Sequence, residues 1–234
     1  KGENAVISIA DARMKSVMGM LKREWELQAI DGSSSVLTEM QSLNGCGTNL
    51  GWLEEGAFGG AAQTNTVGGL SKSAFSSANW NNQNADVLGG GGTWAADGID
   101  AMTDLMIQTQ IYAPEGSVDL ILASPTSYRS YKNVLQAQER YTPKETVLDG
   151  GRLALAFNGA LMYVENNLSG GATGASMYFL NTKSMKVVFD SEANFTMSDF
   201  ETKSGYAARQ ANIFVRTQLI ADHLASLGVL VNAG

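Results

Sequence analysis

Asp119-Leu120-Ile121-Leu122-Ala123-Ser124-Pro125-Thr126-Ser127-Tyr128 is the stretch on which the fold turns. Its first half, together with Val118 just before it, reads from Val118 to Leu122 as a short apolar run of the kind a buried strand makes, ending at Ser124-Pro125. The second half opens a helix over Ser127 to Arg140, with Tyr128, Tyr131, Val134 and Leu135 at the spacing of one face. Upstream, Ile99, Met102, Met106 and Ile107 place another helix over Asp97 to Tyr112. Downstream, Ala160 to Val164, Met177 to Leu180 and Lys186 to Phe189 read as strands, with a glycine-rich loop, Ser169 to Gly174, between the first two. From Asn212 to Leu224 the pattern alternates, with Ile213, Val215 and Leu219 on one side and Phe214, Arg216 and Ile220 on the other. Leu227 to Val231 supplies a closing strand. Helices followed by a run of strands predict an α+β fold.

The N-terminal segment, Ser8 to Ile30, reads as one long amphipathic helix. Ile7, Ala10, Met14, Val17, Met18, Leu21 and Trp25 recur at three- and four-residue steps, which predicts a core-facing stripe. Ser8 and Asp11 stand at the spacing of a capping box, and Asp31-Gly32 supplies a stop. Residues 31–95 have another character. Gly45, Gly47, Gly59-Gly60, Gly68-Gly69 and Gly89 to Gly92 alternate with polar stretches and isolated aromatics, among them Trp52, Phe58, Phe75, Trp80 and Trp94. The expectation is long ordered loops with short strands, whose tryptophans pack against something, a neighbouring subunit included.

The chain has 234 residues, enough for one large core or two modest ones. Its formal net charge of −7 argues against a continuous nucleic-acid groove, which must neutralise phosphates with basic side chains. Cys46 is the one cysteine, so no intrachain disulfide forms, as suits a reducing cytoplasm. No apolar run reaches the roughly 18–20 residues of a membrane span, and no membrane partner is expected. The sequence opens Lys1-Gly2-Glu3, without an initiator Met or a visible signal peptide; the expectation is a chain whose upstream part was cleaved or left out.

Reactive chemistry is thinly represented. His223 is the single histidine, and a general base needs a nucleophile and an orienting partner beside it. Cys46 sits in a glycine-rich turn far from His223 in the chain, which is weak evidence for a thiol nucleophile. Asp97, Asp100 and Asp104 fall on nearly one helical face, a pattern that suits a cation but equally an acidic helix N-terminus favoured by the dipole. The glycine runs do not resolve into a phosphate-binding loop, although Gly89 to Gly92 precede a helix. No catalytic, cofactor-binding or metal-ligating residue is assigned, and no cofactor is expected.

Several segments, in order, resemble the major capsid proteins of tailed bacteriophages, the family typified by the Hong Kong ninety-seven phage coat. Glu26-Leu27-Gln28-Ala29-Ile30-Asp31-Gly32 looks like the end of that family's spine helix. Asn65-Thr66-Val67-Gly68-Gly69-Leu70-Ser71-Lys72-Ser73, followed by Trp80-Asn81-Asn82-Gln83, is similar to a stretch in which a T-x-G-G-[IL] turn precedes a Trp-Asn pair. Asp119 to Tyr128 is similar to the strand-then-helix step these coats share, and Phe157-Asn158-Gly159 resembles their G-x-P-V hairpin, with Ala160 where proline is common. Tyr206 to Val231 looks like their long terminal strand and short closing strand.

The resemblance implies a peripheral P-domain from residues 1–40 (the spine helix) and 183–223 (strands), and a mixed α/β A-domain from residues 41–182 with the closing strand in 224–234. The family's N-arm and E-loop precede the spine helix and are missing from this sequence. The implied function is structural and not enzymatic: a virion capsid subunit, assembled in the host bacterial cytoplasm, forming hexamers and pentamers of itself that close into an icosahedral head around double-stranded DNA without sequence-specific binding. Scaffold, portal and cement proteins are the further partners it allows. Two alternatives stand beside it: an encapsulin-type shell, which shares the fold but encloses an enzyme, and a small α+β hydrolase using Cys46 or His223.

Overall fold

The computed structural model describes residues 3–31, 42–43, 51–54, 63–74, 80–87, 93–137, 146–147, 153–168, 176–202, 204–205 and 209–231. The first helix, α1, runs Glu3–Asp31. It starts five residues ahead of the expected Ser8, so Ser8 and Asp11 lie inside the helix and do not cap it; the apolar residues Val6 and Ile7 continue the helix upstream. A tight hairpin, β1 (Thr66–Val67) and β2 (Leu70–Ser71), turns through Gly68 and Gly69. Both glycines have positive φ, 58° and 80°, as the mirror-image hairpin turn requires.

Strand β3 (Gln83–Asp86) leads to α2 (Trp94–Ile111). That helix begins three residues ahead of the expected Asp97. Thr93 is the extended N-cap, and the Asp97 carboxylate turns back to accept the Thr93 N–H at 2.9 Å. Trp94, expected in a loop, is therefore the first helical residue, and its ring lies over Gly98, where a Cβ would stand 2.6 Å from it. Strand β4 (Leu120–Ala123) passes directly into α3 (Pro125–Ala137). Pro125 was expected to close the strand region; it opens the helix, where its missing N–H costs nothing. Ser124 caps this helix, its hydroxyl oxygen accepting the Ser127 N–H at 3.2 Å. The expected end of this helix, Arg140, lies outside the described residues.

Next come β5 (Thr146–Val147), β6 (Leu153–Phe157), β7 (Ala160–Val164) and β8 (Ser176–Leu180). Asn158 and Gly159, with φ of 46° and 92°, make the β6–β7 turn that pairs Phe157 with Ala160. The last strand, β15 (Gly228–Val231), completes a seven-stranded sheet in the order β3-β15-β8-β4-β7-β6-β5. Two pairings are parallel, β15 with β3 and β4 with β7, and the rest are antiparallel.

The sheet separates two cores, and strand periodicity sorts side chains between them. Met177 and Phe179, Ile121 and Ala123, and Leu230 face α2 and α3. Tyr178 and Leu180, Leu120 and Leu122, and Val229 and Val231 face the opposite layer, built from Trp52, Leu53 and the C-terminal end of α1 at Ile30. Helix α2 lies so close over β15 that a Cβ on Gly228 would stand 2.9 Å from Leu105.

Between β8 and β15 the chain leaves the sheet and returns as a long hairpin arm. Its root pairs β9 (Met185–Phe189) with β14 (Thr217–Ala221). Farther out, β10 (Thr196–Met197) pairs with β13 (Ile213–Phe214), and β11 (Glu201–Thr202) with β12 (Arg209–Gln210). On the outgoing strand, residues 190–195 bulge out opposite residues 215–216, held by Asp190 N–H to the Arg216 carbonyl (3.0 Å) and Arg216 N–H to the Ala193 carbonyl (2.8 Å). The alternation expected over Asn212 to Leu224 is present in burial from 213 to 220: odd positions turn inward and even positions outward, although the ladder itself is interrupted at the bulge.

Candidate functional site

The Gly68-Gly69 hairpin delivers Lys72 into the interior, where it is wholly buried. Its ammonium donates to the Trp52 carbonyl, to Asn82 Oδ1 at 2.7 Å and to Gln63 Oε1 at 3.2 Å, three acceptors for three N–H groups. Glu54 lies 3.6 Å away as counter-charge, its carboxylate also accepting the N–H groups of Thr64 (2.8 Å) and Asn65 (2.7 Å). Two side-chain amides act as surrogate strand partners. Asn82 accepts the Glu54 N–H and donates to its carbonyl, while Gln63 does the same for the backbone of Asn82. Burial pushes the Lys72 ammonium down from its usual 10.5 to about 8, with Glu54 pulling it back up. Each acceptor is filled, so the cluster has the character of a polar lock that fastens residues 51–54, 63–65, 72 and 82 together beside β3. The motif was legible as a resemblance, but the burial of Lys72 was not.

The residues weighed for chemistry are scattered. Cys46 and Gly89 to Gly92 lie outside the described residues. His223 is half-buried just after the arm; the adjacent Ser226 hydroxyl donates to the His223 backbone carbonyl at 2.8 Å and shares a hydrogen bond with the Ser184 hydroxyl at 3.0 Å, not with the imidazole. Asp97, Asp100 and Asp104 are exposed along α2. Among the described residues no group of three or more His, Cys, Asp or Glu side chains is gathered as a metal site, and no helix is long and apolar enough to cross a membrane.

What the molecule does present is uncovered apolar surface. The expected core stripe of α1 is only partly core. Ile30 is buried and Trp25 half-buried, but Met14 and Val17 on that stripe, and Met20 beside it, are exposed. The physical reason is that, among the described residues, the core on the Tyr178 side of the sheet touches α1 at its C-terminal end, from Trp25 to Ile30, while the core on the Phe179 side does not touch it. The arm is barer still: Val188, Met197, Phe200, Phe214 and Ile220 all face outward. A two-stranded ribbon without a covered face is marginal in water. Trp25 anchors its root, stacking on Phe189 at a centroid distance of 6.0 Å. Trp25→Ala is expected to cost about 2 kcal/mol, less than the ~3–5 kcal/mol of a fully buried ring, because part of this one stays exposed. An unchanged urea midpoint would show that Trp25 does not anchor the arm. A cleft of about 810 Å³ opens between the C-terminal half of α1 and residues 163–167, with Arg23 and Glu26 on one wall and Glu165 on the other.

No family model matches the chain, and no curated protein matches it. Among solved structures it is similar to a chain in the cryo-EM structure of the holo-SrpI encapsulin complex from Synechococcus elongatus PCC 7942, at a TM-score of 0.50 and 14% sequence identity. The match covers 64% of this chain and 52% of that one, so this chain spans about half the length of that protein. At such identity the likeness establishes fold alone: a mixed α+β, capsid-like fold shared with an encapsulin protein, which does not single out the tailed-phage coats.

Proposed function

We propose that this chain is the repeating subunit of a self-assembling protein shell. The observation that carries the reading is the fold shared with the encapsulin chain. The exposed apolar side chains of the arm and of Met14, Val17 and Met20 on α1 support it, since apolar surface of this kind marks a site of contact with a partner. Many weak, repeated contacts hold a closed shell while each contact stays reversible enough to correct errors.

Two kinds of shell remain in view. The structural likeness favours an encapsulin-type compartment that encloses protein cargo. The order of Asn65 to Ser73 and Trp80 to Gln83 favours a phage head that encloses double-stranded DNA. The acidic net charge suits a wall that does not grip nucleic acid in either case. The hydrolase alternative gains no support from the surroundings of His223.

Sedimentation of the purified protein tests the common reading: a fast, uniform particle of many copies is expected, and a single 24.8 kDa species under all assembly conditions contradicts it. Protein cargo in particles drawn from the native source points to the compartment, and packaged DNA to the head.

A further inference from the structure

We infer that the bulge at residues 190–195 is a joint in the arm and that Phe195 is its latch, the side chain that holds the outer arm at one angle to the root. The root belongs to the body of the molecule. There β9 and β14 pair from Met185 to Phe189, Leu219 is buried, and the Asp222 N–H donates to the Ser184 carbonyl at 2.9 Å. Beyond the bulge the arm is thinner: β10 and β13 pair over two residues, as do β11 and β12, and β10, β11 and β12 are exposed throughout. Between these two parts, residues 190–195 of the outgoing limb stand opposite residues 215–216 alone.

The backbone marks Phe195 as the point where the joint is set. Its φ is 51°, in the left-handed region, where an aromatic residue is a strained outlier. Such a conformation persists only where the surroundings enforce it. Here they do so from both sides. Before it, Ala193 is buried and its carbonyl accepts the Arg216 N–H at 2.8 Å; after it, Thr196 is paired with Phe214. The Phe195 ring lies toward the root, 6.4 Å from the Phe189 ring, which itself stacks on Trp25 of α1 at 6.0 Å. Trp25, Phe189 and Phe195 thus form one aromatic row from α1 across the root to the joint.

A return of Phe195 to negative φ relieves the strain, but it turns the outer arm relative to the root and carries the ring away from Phe189. The aromatic contact and the backbone strain therefore oppose each other, and their balance fixes the angle of the arm. On the shell reading, a joint of this kind lets one chain meet neighbours set at different angles; the latch itself does not depend on that reading.

The test uses the full chain carrying Cys46→Ser and pairs of spin labels, diluted with unlabelled chain so that only distances within one copy are read. Labels on Gln110→Cys in α2 and Glu201→Cys report the outer arm; labels on Gln110→Cys and Val188→Cys report the root, and all three positions are exposed. With Phe195 in place both distance distributions should be narrow. Phe195→Gly removes the ring and accepts either sign of φ, so it should broaden or displace the outer distribution and leave that of the root unchanged. An outer distribution unmoved by Phe195→Gly, or already broad with Phe195 in place, overturns the latch. Broadening of both pairs together overturns the joint. Phe195→Ala removes the same ring but keeps a Cβ, so its urea midpoint should lie below that of Phe195→Gly. The reverse order, normal within an extended strand, overturns the left-handed conformation on which the latch rests.

Discussion

Lys72→Met should lower the stability of the folded chain by about 3 kcal/mol, the scale expected when one partner of a buried charged pair is removed. Two effects oppose each other. The cation is held at a cost: a depression from 10.5 to about 8 corresponds to about 3 kcal/mol against the charged form. Against this, methionine leaves the Trp52 carbonyl without its donor, thins the bonding at Gln63 and Asn82, and strips Glu54 of its counter-charge. A buried acceptor without a donor costs about 1–3 kcal/mol, and the uncompensated carboxylate adds to it, so loss wins. Lys72→Met combined with Glu54→Gln should lose less than the two single changes summed, because no lone charge remains. The pH dependence has a definite sign. Between about 8 and 10.5 the unfolded chain binds the Lys72 proton more tightly than the folded one, so this group adds stability as pH rises through that window and withdraws it as pH falls. Denaturant midpoints of parent and Lys72→Met compared across the window should diverge as pH rises; parallel curves would contradict the burial of the ammonium.

Phe179→Ala is expected to cost about 3–5 kcal/mol, since the ring is wholly buried in β8 at the centre of the sheet, facing α2 and α3. In a protein of this size that lowers the thermal midpoint by about 10 °C. Phe200→Ala and Phe214→Ala remove the same ring from the arm, where both side chains are more than half exposed at 55% and 52%. Their effect on the stability of the isolated chain should stay within about 0.5 kcal/mol, while on the shell reading both should weaken assembly. Equal losses of stability at positions 179 and 200 would mean that the arm is packed within its own subunit.

Much of the sheet was open to reading from sequence. Ala160 to Val164 lies where its apolar run puts it, because β7 is flanked by turn residues on both sides. The inward and outward sides of residues 213–220 follow directly from their alternation. Strand β3 was not visible: Gln83-Asn84-Ala85-Asp86 has no strand-forming side chain, and its extended form comes from parallel pairing to β15, far off in the chain. Leu153 to Phe157 alternates leucine with alanine, which suits a helix as readily as a strand, and only its pairing with β7 decides. The burial of Lys72 had no signal in its own segment, since its partners Trp52 and Asn82 are brought in from outside it. The α1 stripe was legible as amphipathic, but periodicity cannot say whether an apolar face meets its own core or another copy.

Negative-stain electron microscopy of the purified protein, at concentrations and salt that favour association, addresses the central claim most directly. The account predicts uniform closed shells, or the hexamer and pentamer rings that precede them. A field of single, monodisperse subunits under every such condition would contradict it.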